Sequence, residues 1–233
     1  MFFTKPVPPL SRITAPTAAE ICAKSKPSAE GKALLQPGMT PSQYQAALEK
    51  NKLSVDSVNF LAHGMEPKDS VCWACKASRM TAPKLSPPEM SALNSTECWL
   101  KNPTAGMRSS MASSLGKVDY TGPASWAAQA AMWAPAIGLA AMPAAGGLTG
   151  AAVAGAIMLA AGLKGGTAMP AIPNPKLQLP TGPATPQMLL AIAAAKVPTQ
   201  PAIPAVDQPK LMKTLSPFID LGKDVANGKV TCT

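Results

Sequence analysis

The sequence predicts an all-α protein: a compact packing of seven to nine short helices, with a proline-rich extended tract outside the core. Three observations lead there. Apolar residues recur at three- and four-residue spacings, and no stretch alternates with the two-residue period of a half-buried strand. Helix start signals, in which Ser or Thr precedes Pro or stands three residues before an acid, recur through the first half. Residues 169–209 instead hold ten prolines, which carry no amide proton and interrupt helix and sheet alike.

Residues 1–15 read as an extended arm. "TAAEICAK" opens a first helix, with Thr17 as N-cap and Glu20 at the capping-box spacing, and Pro27 ends it. "SAEGKALLQPGM" is a short second helix closed by Pro37-Gly38. "TPSQYQAALEKN" starts cleanly, with Thr40 as N-cap and Pro41 at the first helical position. "SVDSVNFLAHG" puts Val55, Val58, Leu61 and Ala62 on one face, with Gly64 as C-cap. "EPKDSVCWACKASRM" carries Val71, Ala74 and Cys75 on one stripe and a basic last turn that suits the helix dipole. "SPPE" starts a helix anchored by Met90, Leu93 and Trp99, and "PTAGMRSSMASSLGK" places Met107, Met111 and Leu115 four residues apart.

The second half changes character. "PASWAAQAAMWAP" is an Ala-rich helix with Trp126 and Trp133 seven residues apart on one face. "LTGAAVAGAIMLAAGLKGG" is apolar nearly all round. Within the proline-rich tract only "TPQMLLAIAAAK" is capable of a helix. "PKLMKTLSPFIDLGKDVANGK" closes the chain, with Leu215, Phe218, Ile219 and Leu221 giving an amphipathic turn or two. The expected organisation is an arm over 1–15, a helical domain over 16–166, a proline-rich insertion over 167–209, and a closing helix over 210–233 that packs back on the helical domain.

Composition bounds the function. The 233 residues carry a net charge of +9, but only 14% are charged, against about 25% in ordinary soluble domains. No charge falls between Asp119 and Lys164. The basic residues are scattered singly and lack interleaved aromatics, which argues against nucleic acid and suits an acidic protein partner. Five irregularly spaced cysteines do not make a secreted disulfide scaffold, and reduced thiols in a cytoplasm are the simpler reading. The N-terminus has no apolar stretch of the signal-peptide kind. Leu148–Leu163 is the best membrane window, yet its roughly 16 residues fall short of the ~20 of a span. Half of them are the Ala and Gly of a tightly packed core helix, so core burial is preferred to membrane insertion.

Little resembles a reactive centre. Cys72, Cys75, Cys98 and the lone His63 complete a Cys3His set on paper. Structural zinc ligands, however, sit in pairs on tight turns, and a redox Cys-x-x-Cys wants a helix N-terminus after a strand. The bland reading is that cysteines and Trp73 fill a helix seam and that His63 caps a helix end. No nucleophile elbow, P-loop or zincin motif occurs. Asp56, Glu66 and Asp69 read as solvated helix starts. No catalytic residue, metal or cofactor is therefore expected. The structural core is expected to include Leu61, Val71, Trp73, Cys75, Trp99, Trp126 and Trp133.

"LLQPGMTP", "VNFLAH" and "SVCWAC", then "GPASWAAQAAMW", "LTGAAVAGAIMLAA" and "SPFIDLGKDVANGK", resemble the marks of an uncharacterised bacterial family, a domain of unknown function found among type VI secretion genes. The resemblance covers most of 17–163 and then 210–229. Two departures stand out. The family usually has an aromatic or aliphatic residue where Cys72 stands, and its late helix runs soon into the closing one. The resemblance implies an all-helical, non-enzymatic, cytoplasmic accessory protein, an adaptor or chaperone for secretion-apparatus components or effectors. The alternative is a membrane-active or secreted effector that uses residues 126–163.

Overall fold

The computed structural model describes residues 9–134, 145–166 and 208–232. Ten α-helices and no strand occur among them. The chain is all-α, with somewhat more helices than the seven to nine expected, and the last two are long. Most of the proline-rich insertion, including its expected helix, lies outside the described residues.

The first three helices, α1 (Ala18–Ser25), α2 (Ala29–Leu34) and α3 (Pro41–Lys50), are set by local caps. Thr40 and Gln43 form a complete capping box on α3, with Pro41 inside it. On α1 the box is incomplete: the Thr17 hydroxyl donates to Glu20 at 3.1 Å and caps no backbone amide. The Ser28 hydroxyl accepts from Gly31 N at the start of α2. Tyr44 ties α3 to α2 by donating to Gly31 O at 2.9 Å and stacks edge-on against Phe60.

α4 (Ser54–Gly64) and α5 (Pro67–Arg79) follow. Gly64 is the last helical residue of α4 rather than a left-handed cap, and Met65 leaves the helix extended. After one 3-10 turn come α6 (Pro87–Lys101), capped by Ser86, α7 (Ala105–Leu115), capped by Thr104, and α8 (Pro123–Trp133). Gly122, the N-cap of α8, has no side chain to offer. Its place is taken from α6: the buried Glu89 carboxylate accepts from Ser125 N at 2.9 Å. A negative charge at this end also suits the helix dipole.

α9 (Ala145–Gly165) is the axis of the molecule, packed against α8, α5, α4 and, less extensively, α10 (Gln208–Ala226) and α1. Ala152, Ala156, Ala160 and Ala161 of α9 and Ala127, Ala128, Ala130 and Ala131 of α8 are fully buried. Small side chains let these axes come close, so the burial that larger residues would give one by one is spread over many contacts. The larger anchors are Val153 and Ile157 on α9 and Trp126 and Trp133 on α8.

α10, the closing helix placed over 210–233 from the sequence, runs for 19 residues from Gln208 to Ala226. It continues through Pro217, which forfeits one backbone hydrogen bond. Burial of Leu215, Phe218, Ile219, Val225 and Ala226 offsets that loss. Its register on α5 is set by Trp73, whose indole N–H donates to Phe218 O at 2.9 Å. The ring lies flat on the helix backbone at Gly222, where an added Cβ would stand 2.7 Å from Trp73 Cε2.

Gly222→Ala is therefore expected to cost about 1–3 kcal/mol through overpacking in a site with no room to give. Gly106→Ala, on an exposed turn of α7 with nothing closer than 4.0 Å, should instead stabilise by up to about 1 kcal/mol. Urea unfolding of the two variants beside the wild type checks both signs.

Candidate functional site

The segment 56–80, which holds the lone histidine and the Cys-x-x-Cys, forms most of α4 and α5 and lies between α9 and α10. Leu61, Val71, Trp73 and Cys75 are buried there, and Trp99, Trp126 and Trp133 are buried on α6 and α8. The four paper ligands are not brought together. Cys72 Sγ is bonded to Cys232, 160 residues away, with the two Cα atoms 5.7 Å apart. Cys75 is a free, fully buried thiol, Cys98 is exposed on α6, and the third free thiol, Cys22, is buried in α1. Among the described residues no group of three or more His, Cys, Asp or Glu side chains is placed to hold a metal ion. The expectation of five reduced thiols is thus corrected for two of them. Nothing in the spacing of Cys72 and Cys232 announces the pair, because contacts across such a separation depend on the docking of α10.

Burial pushes the Cys75 thiol well above its ordinary pKa, with Glu97 adding to the shift against Arg79 and Lys76. A thiol held protonated in this way is a small hydrophobe and no nucleophile. His63 Nδ1 donates to Asn59 O at 2.8 Å, within its own helix. Its ring lies against α9 at Gly150, where an added Cβ would come within 2.6 Å of Cδ2. Burial lowers the His63 pKa, outweighing the backbone oxygens of Asn59 and Gly147 that favour the cation. The histidine is a neutral spacer between α4 and α9, and its bond to Asn59 O engages a carbonyl near the helix end.

The carboxylates are committed to structure as well. Asp56 is buried, not solvated as expected from the sequence. It accepts from Ser28 N at 2.9 Å and from the Ser28 hydroxyl, bracing the cap of α2 from α4. Asp69 pairs with Arg12 at 2.9 Å, and Glu66 accepts from Thr14 at 3.4 Å. The Arg79 guanidinium engages both oxygens of Glu97, which raises its pKa despite burial. Lys223 bridges Glu49 and Asp220, and Lys229 pairs with Asp224. For Lys223 burial works against the ammonium, but the bonds to Asp220 and Glu49 prevail and raise its pKa. Lys223's two partners also line a cleft of about 40 Å³ with Ser54, Ser216 and Ile219, space for a water or two and no more.

These commitments leave the surface basic. Lys24, Lys26, Lys32, Lys50, Lys52 and Lys101 are exposed and form no ion pair among the described residues. The lysines around the end of α9 serve the fold instead. Lys84 donates to Leu163 O, and Lys164 sits 5.7 Å above the Phe218 ring. α9 also corrects the membrane arithmetic. Over Gly147–Gly165 it is long and apolar enough to cross a bilayer, and 72% of that window is buried inside the protein.

Fold and site together define a helical bundle in which the reactive side chains brace helices and the excess charge faces outward. Residues 44–173 match the Family of unknown function (DUF6931). The match spans more than half of the chain, and the chain belongs to that family. "LLQPGMTP" and the closing helix, both part of the sequence resemblance, fall outside the matched residues. No curated protein and no solved structure matches the chain.

His63 provides a pH test. An imidazole whose folded pKa lies below its unfolded value binds protons more readily in the unfolded chain. Its contribution to stability is complete above about pH 6.5 and declines as pH falls through that value. Thermal melts should show a lower midpoint at about pH 5 than at pH 7. In His63→Gln the part of that slope between about pH 5.5 and 6.5 should flatten, because the chain has no second histidine. Metal analysis is expected to find zinc far below one equivalent, since Cys72 is spent in the disulfide and the neighbouring candidates face different seams.

Proposed function

We propose that this protein is a non-enzymatic interaction protein, an adaptor or chaperone-like accessory that binds an acidic face of a protein partner. One observation carries the reading. Asp56 and Glu89 are drawn into helix caps and Asp69, Glu97, Glu49, Asp220 and Asp224 into ion pairs, while the exposed Lys24, Lys26, Lys32, Lys50, Lys52 and Lys101 form no ion pair among the described residues. Such a surface attracts acidic partners over a Debye length and gains affinity from complementarity that the fold itself does not use. The placement of His63, Trp73 and Cys75 in helix seams fits a scaffold rather than a reaction centre.

The partner class follows from the sequence resemblance to proteins encoded among type VI secretion genes: a component or effector of a secretion-like apparatus, met in the cytoplasm. A second reading, a secreted or membrane-active effector using residues 126–163, has two observations in its favour. α9 is long enough to span a bilayer, and a disulfide such as Cys72–Cys232 persists most readily outside a reducing cytoplasm.

Tagged protein expressed in a cell carrying such an apparatus should co-purify with one of its components or effectors. The complex should weaken as salt is raised from about 0.05 to 0.5 M and when Lys24, Lys26, Lys50 and Lys52 are together changed to Glu. Recovery of the chain alone would end the adaptor reading. Retention in the membrane fraction after carbonate washing would support the effector reading in its place.

A further inference from the structure

The disulfide joins more than two helices. Cys232 lies beyond the end of α10 in a tail that folds back on itself: Gly228 N donates to Val225 O, and Lys229 N to Asp224 O, each at 2.9 Å. The N-terminal arm lies alongside this tail. Arg12 N donates to Ala226 O at 2.8 Å, and Ser11 N to Asn227 Oδ1 at 3.4 Å. The Arg12 side chain runs past Gly228 to pair with Asp69 on α5. Asp69 is one turn before Cys72 on the same face of α5. Arm, tail and α5 therefore meet at one junction, and Cys72–Cys232 is its only covalent fastening among the described residues.

The two sulfurs differ in access. Cys72 is 2% exposed, whereas Cys232 is only partly buried. Attack on the more accessible Cys232 leaves Cys72 as the departing sulfur. Cys75 is fully buried with its thiol held protonated, so it is poorly placed to attack from within. The core beneath has contacts that do not involve the sulfurs: Trp73 donates to Phe218 O, Lys223 bridges Glu49 and Asp220, and Leu215, Phe218 and Val225 are buried.

We propose that Cys72–Cys232 is a thiol-operated latch: an external dithiol opens it, releasing the C-terminal tail and loosening the N-terminal arm while the helical core stays folded. The reductant's thiolate attacks Cys232 Sγ. The Cys72–Cys232 bond breaks, Cys72 leaves as a thiolate and takes up a proton, and a mixed disulfide forms at Cys232. The second thiol of the reductant resolves the mixed disulfide. Cys232 is left as a thiol and the dithiol becomes a cyclic disulfide, so two electrons and two protons pass to the protein.

Digestion of the oxidised full chain without reductant should yield tryptic peptide 69–76 joined to 230–233. After dithiothreitol treatment of the native protein, brief trypsin exposure should cut after Arg12 and Lys229 about tenfold faster, with Lys76 and Arg79 of α5 and Arg108 of α7 left uncut. Cys232→Ser should show the fast pattern with or without reductant, and its far-ultraviolet circular dichroism should match the wild type. Absence of the joined peptide from oxidised protein overturns the proposal, as does unchanged cleavage at Arg12 and Lys229 after reduction. Cleavage throughout the core with loss of helicity, in the reduced wild type and in Cys232→Ser alike, overturns it too, because the bond would then be a staple for the whole fold.

Discussion

The indole of Trp73 lying on the backbone of α10 is the contact on which the rest of the molecule depends. Chain connectivity does little to place α10, since residues 167–207 separate it from α9. The placement comes from side chains. Trp73 supplies a large apolar surface with one polar atom, and α10 supplies a bare stretch of helix at Gly222 with Phe218 O beside it. A buried indole N–H left unpaired costs about 1–3 kcal/mol, so the bond selects one register of α10 over its neighbours. With that register fixed, Lys223 reaches Glu49 and Asp220, Lys164 covers Phe218, and the tail reaches Cys72.

A second constraint is the thinness of the central helices. α8 and α9 bury alanine where most cores bury leucine. Close-packed alanine interfaces tolerate little, because each neighbouring side chain has been fitted to the lack of bulk opposite it. His63 on Gly150 and Trp73 on Gly222 are two instances of the same arrangement, a flat ring laid on a helix that offers only backbone. The same composition makes α9 resemble a membrane span. Apolarity all round a helix is required both by lipid and by a sheath of neighbouring helices, and hydropathy does not distinguish them.

What the sequence disclosed and what it withheld divide by distance along the chain. Thr40 and Pro41 announced α3 because a cap and its first turn lie side by side in the chain, and Ser86 with Pro87 did the same for α6. The anchors Leu61, Trp73 and Trp126 were visible because helical periodicity is also local. Asp56 and Glu89 were not readable, since each caps a helix other than its own. Their partners, Ser28 and Ser125, stand 28 and 36 residues away. At Pro217 a local rule and the fold diverge: proline disfavours a helix interior, and burial of Leu215 and Phe218 on either side of it carries α10 through. The Cys72–Cys232 pair is the extreme case, decided by how two helices meet and not by any spacing in the chain.

The same division bears on function. A carboxylate that caps a distant helix does not remain available to balance surface lysine. Glu89 at α8 and Asp56 at α2 are therefore withdrawn from the outer face as well as being fastenings on the inside. A protein could cap these helices with neutral Ser or Asn, as it does at Ser86 and Thr104. Spending acids instead, in a chain with 12 of them against 21 lysines and arginines, leaves a scaffold whose outer face is cationic without a single dense basic run. Specific polyanion grooves need concentrated charge. A dispersed excess over several helix ends is the feature on which the proposed acidic protein partner rests, since many weak charge contacts act on encounter rate and orientation.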